Sequence, residues 1–269
     1  MDSDVKVAAV PAIEFLGVDK RFAARGKAAE VLAARQVSLS IQPGEVVSLI
    51  GPSGCGKSTL LNMGAGLTRP SAGVVKVRGE VVAGPNKHVA FMLQKDLLMP
   101  WRTISENVEL GLELRGVKSD QRRQISDRLL AQCHLQGFGP SYPHQLSGGM
   151  RQRAALARTL AVDPAVLLMD EPFSALDAQT KMILQQDLAR TVAEAGKTVL
   201  FITHDLSEAV ALSDRILVMS ERPGTIVEEI TVDIPGRDNP LQRHKHARVN
   251  ELVSRLMDLL KLDAQAQVH

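Results

Sequence analysis

Residues 51–58 read Gly51-Pro52-Ser53-Gly54-Cys55-Gly56-Lys57-Ser58, a G-x-x-x-x-G-K-[ST] pattern. It follows the apolar run Val46–Ile50 and precedes a helix-forming stretch opening at Lys57-Ser58-Thr59-Leu60-Leu61. Strand, loop and helix in that order are the setting the pattern needs. The glycines let the backbone curl until successive N–H groups converge on phosphate oxygens. The helix N-terminus adds unpaired donors and a partial positive charge. Lys57 brings a full charge to the β- and γ-phosphates, and the Ser58 hydroxyl suits Mg²⁺. Gly51, Pro52, Ser53, Gly54, Cys55, Gly56, Lys57, Ser58 and Thr59 are therefore the expected nucleotide-phosphate-binding segment. Cys55 is a small loop residue there, not a nucleophile.

Val166-Leu167-Leu168-Met169-Asp170-Glu171 is an apolar strand that ends in two carboxylates. Delivering acids from a buried strand is costly unless a cation meets them. Asp170 is placed to hold the Mg²⁺ shell, as the acid of a Walker B motif does. Glu171, one residue on, points toward an attacking water as general base or water positioner. A Glu that caps a neighbouring helix is the plainer alternative, and the phosphate loop upstream argues against it. Leu146-Ser147-Gly148-Gly149-Met150 opens a helix running to Ala161. Ser147 can cap it, and the glycines expose amide N–H groups, which makes a second anion site.

The elements that must position these groups alternate along the chain. Short apolar runs recur at Val46–Ile50, Val89–Phe91, Val166–Met169, Val199–Thr203 and Ile216–Met219. Strands of this kind are buried on both faces, as in a parallel sheet covered by helices. Helical stretches at Ser58–Gly66, Met150–Ala161, Thr180–Ala195 and Leu206–Ser213 lie between many of them, which predicts an α/β fold. Phe15–Ile41 with Val74–Val82 reads instead as short, turn-punctuated antiparallel strands at the edge of the core. Trp101 to about Ala161 lacks strand-like runs and is expected to be an inserted helical subdomain. The tail from about Pro240 carries a helical pattern of Leu252, Val253, Leu256, Leu259 and Leu260.

Composition excludes several classes. The 269 residues carry 32 Lys+Arg against 30 Asp+Glu, a net charge of +2. That balance argues against a nucleic-acid coat or a polybasic anchor. Apolar stretches fall well short of the roughly 20 residues of a membrane span. The acidic start Met1-Asp2-Ser3-Asp4 has no apolar core and predicts no signal peptide. Two cysteines, Cys55 and Cys133, cannot build a disulfide framework, and a reducing cytosol is the natural compartment.

Leu146-Ser147-Gly148-Gly149-Met150-Arg151-Gln152-Arg153 resembles the signature sequence of ATP-binding-cassette (ABC) proteins. The rest of that family's set follows in order from about Ile13 to Val232. Gln94 matches the Q-loop glutamine, which implies an Mg²⁺ contact and a link to a partner. Ser174-Ala175-Leu176-Asp177 matches the D-loop, and His204 the switch histidine that meets the γ-phosphate. Phe22 falls where the family puts an aromatic that stacks on adenine. Taken singly, Gln94 would be a polar loop residue, His204 a helix-start or core histidine, Asp177 an N-cap and Phe22 a core residue. Arg151, Arg153 and Arg158 form a solvated or subdomain-packing face.

The resemblance implies an α/β fold: a P-loop NTPase (RecA-like) core with a mainly parallel sheet, an antiparallel β edge layer and an inserted α-helical subdomain. Residues 13–245 would be the ATPase domain, with the subdomain at about 101–161, and 246–269 a C-terminal helix and tail. It implies a head-to-tail pair, a homodimer or a pair with another ATPase subunit, in which Ser147, Gly148, Gly149 and Asp177 contact the partner's ATP. The cofactors implied are ATP and Mg²⁺, the latter held by Ser58, Gln94 and Asp170, with Glu171, His204 and Lys57 catalytic. Gln94 to Trp101 resembles the Q-loop region of importer subunits for nitrate, sulfonate and taurine, which often read Gln-x-x-x-Leu-Leu-Pro-Trp. Here Met99 replaces the second Leu, and Leu93 stands where a Phe is common. An integral-membrane permease would dock near Gln94–Trp101, although Trp101 fits internal packing equally well. A periplasmic or extracellular solute-binding protein would complete the system, with this chain on the cytoplasmic face of the membrane and no nucleic-acid partner. The alternative class is a soluble ABC ATPase acting on nucleic acid or ribosomes, and the exporter class differs only in its permease.

Overall fold

In the computed structural model, residues 10–23 and 30–260 are described. The Met1–Asp4 start and residues 261–269 of the tail lie outside them. Two sheets carry the fold. The larger contains β3 (Val46–Ile50), β6 (Val89–Met92), β7 (Val166–Asp170), β8 (Thr198–Ile202), β9 (Arg215–Met219) and β10 (Ile226–Thr231). Its order is β10-β9-β3-β8-β7-β6, parallel throughout except for antiparallel β10 at one edge. Every residue of β3, β7 and β8 is buried, so helices must cover both faces, and the continuous apolar runs follow from that.

The smaller sheet is antiparallel, in the order β2-β1-β4-β5. It comprises β1 (Ile13–Phe22), β2 (Val31–Ile41), β4 (Ala72–Val77) and β5 (Glu80–Val81). Its first two strands run longer than the short pieces the pattern predicts. Register shifts between Phe15 and Arg21 accommodate irregular pairing, so a single long strand shows a broken periodicity. The helix α1 (Lys57–Gly64) lies between the two sheets. Its Leu60, Leu61 and Met63 share one core with Ile13 and Phe15 of β1 and with Leu168 and Leu200 of the parallel sheet.

On the opposite face, α4 (Gly148–Ala161) and α5 (Ala178–Glu194) pack against the sheet, and α2 (Ile104–Leu114) and α3 (Ser119–Gln132) pack on α4. Their core is continuous from Ile104 and Leu130 through Leu156 to Met92, Met169 and Phe201. The inserted helices therefore share their apolar core with the sheet. Near the other edge, α6 (Leu206–Leu212) and α8 (Arg248–Leu259) cover Ile216, Val218 and Ile230, while the short α7 (Pro240–Arg243) precedes α8. No helix among the described residues is long and apolar enough to cross a membrane.

Two caps fix where α2 starts. Thr103 accepts from the Glu106 N–H at 3.3 Å, and Glu106 returns the bond to the Thr103 N–H at 2.7 Å. Asn107, fully buried, then ties the preceding segment down. Its Oδ1 accepts from the Met99 N–H at 2.7 Å, and its Nδ2 donates to the Thr103 carbonyl at 2.9 Å and, more loosely, to those of Met99 and Arg102. Asn107→Ala removes these bonds and leaves buried backbone groups unpaired, so stability should fall by about 2–3 kcal/mol. Urea unfolding measures this, and a loss below about 1 kcal/mol would show that solvent replaces the bonds.

Candidate functional site

The phosphate loop leaves β3 at Ile50 and enters α1 at Lys57. Gly56 has φ 111°, and a Cβ there would lie 2.7 Å from the Ala33 carbonyl oxygen. Only glycine lets the loop pass this close beneath β2. The N-terminus of α1 has no side-chain cap, so its first amides remain available to an anion. Lys57 folds back over the loop, donating to the carbonyls of Gly51 at 2.6 Å and Pro52 at 2.8 Å. A phosphate must draw the ammonium away from these two carbonyls. Cys55 is buried in the core beneath the loop.

Parallel strands β6, β7 and β8 are neighbours, so their C-terminal ends lie side by side. Gln94, Glu171 and His204 follow these three ends. Gln94 Nε2 donates to Glu171 Oε2 at 2.9 Å, and His204 Nδ1 lies 3.5 Å from the same oxygen. Glu171 sits in the left-handed region at φ 49°, a conformation costly for a side chain with a Cβ. Its N–H donates to the Ile202 carbonyl at 3.0 Å, and its own carbonyl accepts from Ser174 Oγ at 3.0 Å. Those bonds on either side hold the turn. Asp170 ends β7 in a buried position. Burial pushes its carboxyl up; a Ser58 hydrogen bond and the Lys57 charge oppose that, and the Glu171 charge adds to it.

An open cleft of ≈ 560 Å³ joins these parts. Its walls include Phe22, Ser53, Gly54, Gly56, Lys57, Ser58, Thr59, Gln94, Asp170 and Glu171. Phe22 is 45% exposed at the end of β1, with the Lys20 ammonium 5.2 Å from its ring centre. His204 lines an adjoining hollow, with Gly51, Pro52, Ser53 and Thr203.

Ser147, Gly148, Gly149 and Asp177 are not among the described residues that line the cleft. Ser147 caps α4, accepting from the Met150 N–H at 3.3 Å, and Gly148 and Gly149 are the first two residues of that helix. Asp177 caps α5 through the Thr180 N–H at 3.0 Å, and bonding to Thr180 holds its carboxyl below the usual range. The two caps are neighbours: a Cβ on Gly149 would lie 3.2 Å from Leu176 Cδ2.

The segment after Gln94 is fastened to α4. Arg151 pairs with Asp96 at 3.0 Å, and Arg158 donates to the carbonyls of Leu97 at 2.8 Å and Asp96 at 2.6 Å. Arg153 donates to the His134 carbonyl at 2.9 Å. These three arginines therefore anchor loops rather than forming a solvated face. Leu98 is buried, but Leu97 is 53% and Trp101 73% exposed, so the Trp101 ring is not internal packing. Four cleft residues, Val31, Ala33, Ile202 and Arg222, escaped the sequence reading. Arg222, in the Arg222-Pro223-Gly224 turn between β9 and β10, lines the cleft and donates to the Gly54 carbonyl. The turn-forming Pro-Gly pair was the available signal.

Residues 34–174 match the family described as ABC transporter. A chain described as an uncharacterized ABC transporter ATP-binding protein of Methanocaldococcus jannaschii is 48% identical, over 76% of each chain. The taurine import ATP-binding protein TauB of Yersinia pestis is 46% identical, over 76% of this chain and 80% of its own. Among solved structures, a dimeric ATP-binding cassette in a post-hydrolysis state bound to ADP and Pi is 33% identical. It has a TM-score of 0.75 and covers 82% of this chain and 98% of its own.

The strain at Glu171 yields a stability test. Glu171→Gly removes the left-handed penalty, about 1 kcal/mol or more, against a similar entropic cost in the unfolded chain. The unfolding free energy from urea titration should hold or rise. A fall of more than about 1 kcal/mol would mean that the carboxylate itself stabilises the turn.

Proposed function

Because the chain belongs to the ABC transporter family, we propose that it is the ATP-hydrolysing subunit of an importer whose membrane-spanning permease is a separate chain. The observation that carries this reading is the division of its phosphate-directed groups. Lys57, Ser58, Asp170 and Glu171 share one cleft, while the Ser147–Gly149 amides and Asp177 lie together outside its walls. Two copies, or this chain and a paralogous ATPase subunit, pair head to tail so that each Ser147–Gly149 turn covers the other's ATP. That a similar cassette was solved as a dimer bound to ADP and Pi supports pairing.

Within each site, the segment from Gly51 to Thr59 wraps the phosphates with the backbone N–H groups it has (Pro52 has none), the Lys57 ammonium binds them too, and Phe22 stacks on adenine. Mg²⁺ fits the donor set: the Ser58 hydroxyl and the buried Asp170 carboxylate share the cleft with Gln94. An acid pushed up by burial gains from a cation. When bound, the ion neutralises charge on the β- and γ-phosphates. Glu171 orients the water and takes its proton, and His204 meets the γ-phosphate. Gln94 would join Ser58 and Asp170 in holding the ion, and in the structure its amide donates to the Glu171 carboxylate. Catalysis here is positioning and charge stabilisation.

The exposed Leu97 and Trp101, on a segment braced by Arg151 and Arg158, are the docking surface for the permease. The relative named for taurine import supports a small anionic or organic cargo of the nitrate, sulfonate or taurine kind. An extracytoplasmic solute-binding protein delivers that cargo. This chain works on the cytoplasmic face, held there by the permease.

Glu171→Gln should keep ATP affinity, lose at least about 100-fold in turnover and give an ATP-dependent dimer by light scattering. Adding Ser147→Arg should dissolve that dimer. Normal hydrolysis by Glu171→Gln would refute the base, and a dimer that survives Ser147→Arg would refute the cap. For the permease, the chain should sediment with membranes only when its permease is co-produced, and Trp101→Glu should release it. Hydrolysis stimulated by RNA, with no membrane retention, would favour an ATPase acting on nucleic acid or ribosomes.

A further inference from the structure

We propose that Arg222 is a positioning residue for the phosphate loop, setting the Gly54–Cys55 peptide that binds nucleotide phosphate. Its Nε and Nη2 donate to the single carbonyl oxygen of Gly54, at 3.0 and 2.7 Å. The two groups are 168 residues apart in sequence. In a trans peptide, C=O and N–H point in opposite directions. A guanidinium that holds the Gly54 carbonyl outward therefore aims the Cys55 N–H into the loop. That N–H now meets only the Pro52 carbonyl, at 3.4 Å, a long contact that a phosphate oxygen can replace.

The turn carrying Arg222 is itself fixed against the loop. The Gly224 N–H donates to the Ala33 carbonyl at 3.0 Å, and the Arg35 N–H donates to the Gly224 carbonyl at 3.0 Å. These bonds make a parallel bridge between Ala34 and Gly224. Ser220 Oγ braces the turn from within, accepting from the Thr225 N–H at 3.0 Å. A Cβ at Gly224 would lie 2.1 Å from the Cys55 carbonyl oxygen, so the turn rests directly on the phosphate loop. β2 meets the same loop at Gly56, as described above. The loop is thus gripped between β2 and the β9–β10 turn, and Arg222 is the side chain that completes the grip. Arginine suits the task because its fixed fork gives two donors to one acceptor, where lysine gives a single mobile ammonium.

The effect should fall on every nucleotide that carries a β-phosphate. Arg222→Met should weaken ATP and ADP binding alike, by about tenfold each, as expected for losing a charge-assisted hydrogen bond. In steady state the loss should appear in KM rather than in kcat. Arg222→Lys should recover part of the affinity. Gly224→Ala keeps the Arg222 charge but must push the turn off Cys55, and should weaken both nucleotides in the same direction. Fluorescent-nucleotide titration of the full chain reads all three variants, with thermal unfolding to verify that each is folded. If Arg222→Met does not fold, Arg222→Lys decides: reduced affinity at an unchanged midpoint supports the proposal, and wild-type affinity overturns it. Unchanged affinity in Arg222→Met, or a loss confined to kcat, would also overturn it. So would wild-type affinity in Gly224→Ala beside a weakened Arg222→Met, since the arginine would then act as a charge on the ligand rather than through the loop.

Discussion

Everything in this molecule that concerns phosphate depends on a confrontation of unlike groups at the end of the parallel sheet. On one side stand backbone amides with no side-chain cap and the Lys57 ammonium. On the other stand Asp170 and Glu171, carried there by the buried strand β7. Each side is held by hydrogen bonds within the protein rather than by a direct pairing of Lys57 with the two carboxylates. Lys57 makes do with two loop carbonyls, Glu171 with the amide of Gln94, and Asp170 has its carboxyl pushed up by burial. Such groups hold a cost that a polyphosphate with its cation would repay. The rest of the fold keeps them in place: helix α1 wedged between two sheets, Glu171 locked in a left-handed turn, and Gln94 and His204 on the adjoining strand ends.

A second constraint decides how that cost is met. The caps at Ser147 and Asp177 satisfy their own helices and lie against each other through Gly149 and Leu176. Their position outside the cleft leads to the proposal that another chain brings its caps to this one. Symmetric pairing closes two such sites at once. The helices that bear the caps also share an apolar core with the sheet. In the proposed assembly, closure at the nucleotide would therefore be felt along α4. That helix anchors the segment carrying Leu97 and Trp101 through Arg151 and Arg158.

Much of this was legible in the residues, for a physical reason. Parallel strands buried on both faces give unbroken apolar runs, so Val46–Ile50 and Val166–Asp170 stand out with their loops attached. The β10 strand was not legible. Its Glu228 and Glu229 belong to an edge strand with solvent on one side, and its pattern resembles a polar loop. The bulges in β1 scrambled the alternation that would have shown its length. Trp101 was undecided because an exposed and a packed aromatic look the same in sequence. Pro223-Gly224 marked a turn beside Arg222 but not its role, because its partner is a backbone carbonyl far away in the chain and no residue type marks such an acceptor. The fold-back of Lys57 and the Gln94–Glu171 bond were hidden likewise, since both belong to the folded geometry of the site rather than to a motif.

The central claim is that one chain cannot complete a catalytic site alone. The direct test is the ATP turnover of the purified wild-type chain, expressed per chain, over a wide range of protein concentrations. Turnover should rise with concentration from near zero to a plateau as pairs form, since each site needs groups from two chains. A turnover per chain that stays constant on dilution, while light scattering with ATP shows single chains throughout, would contradict the account.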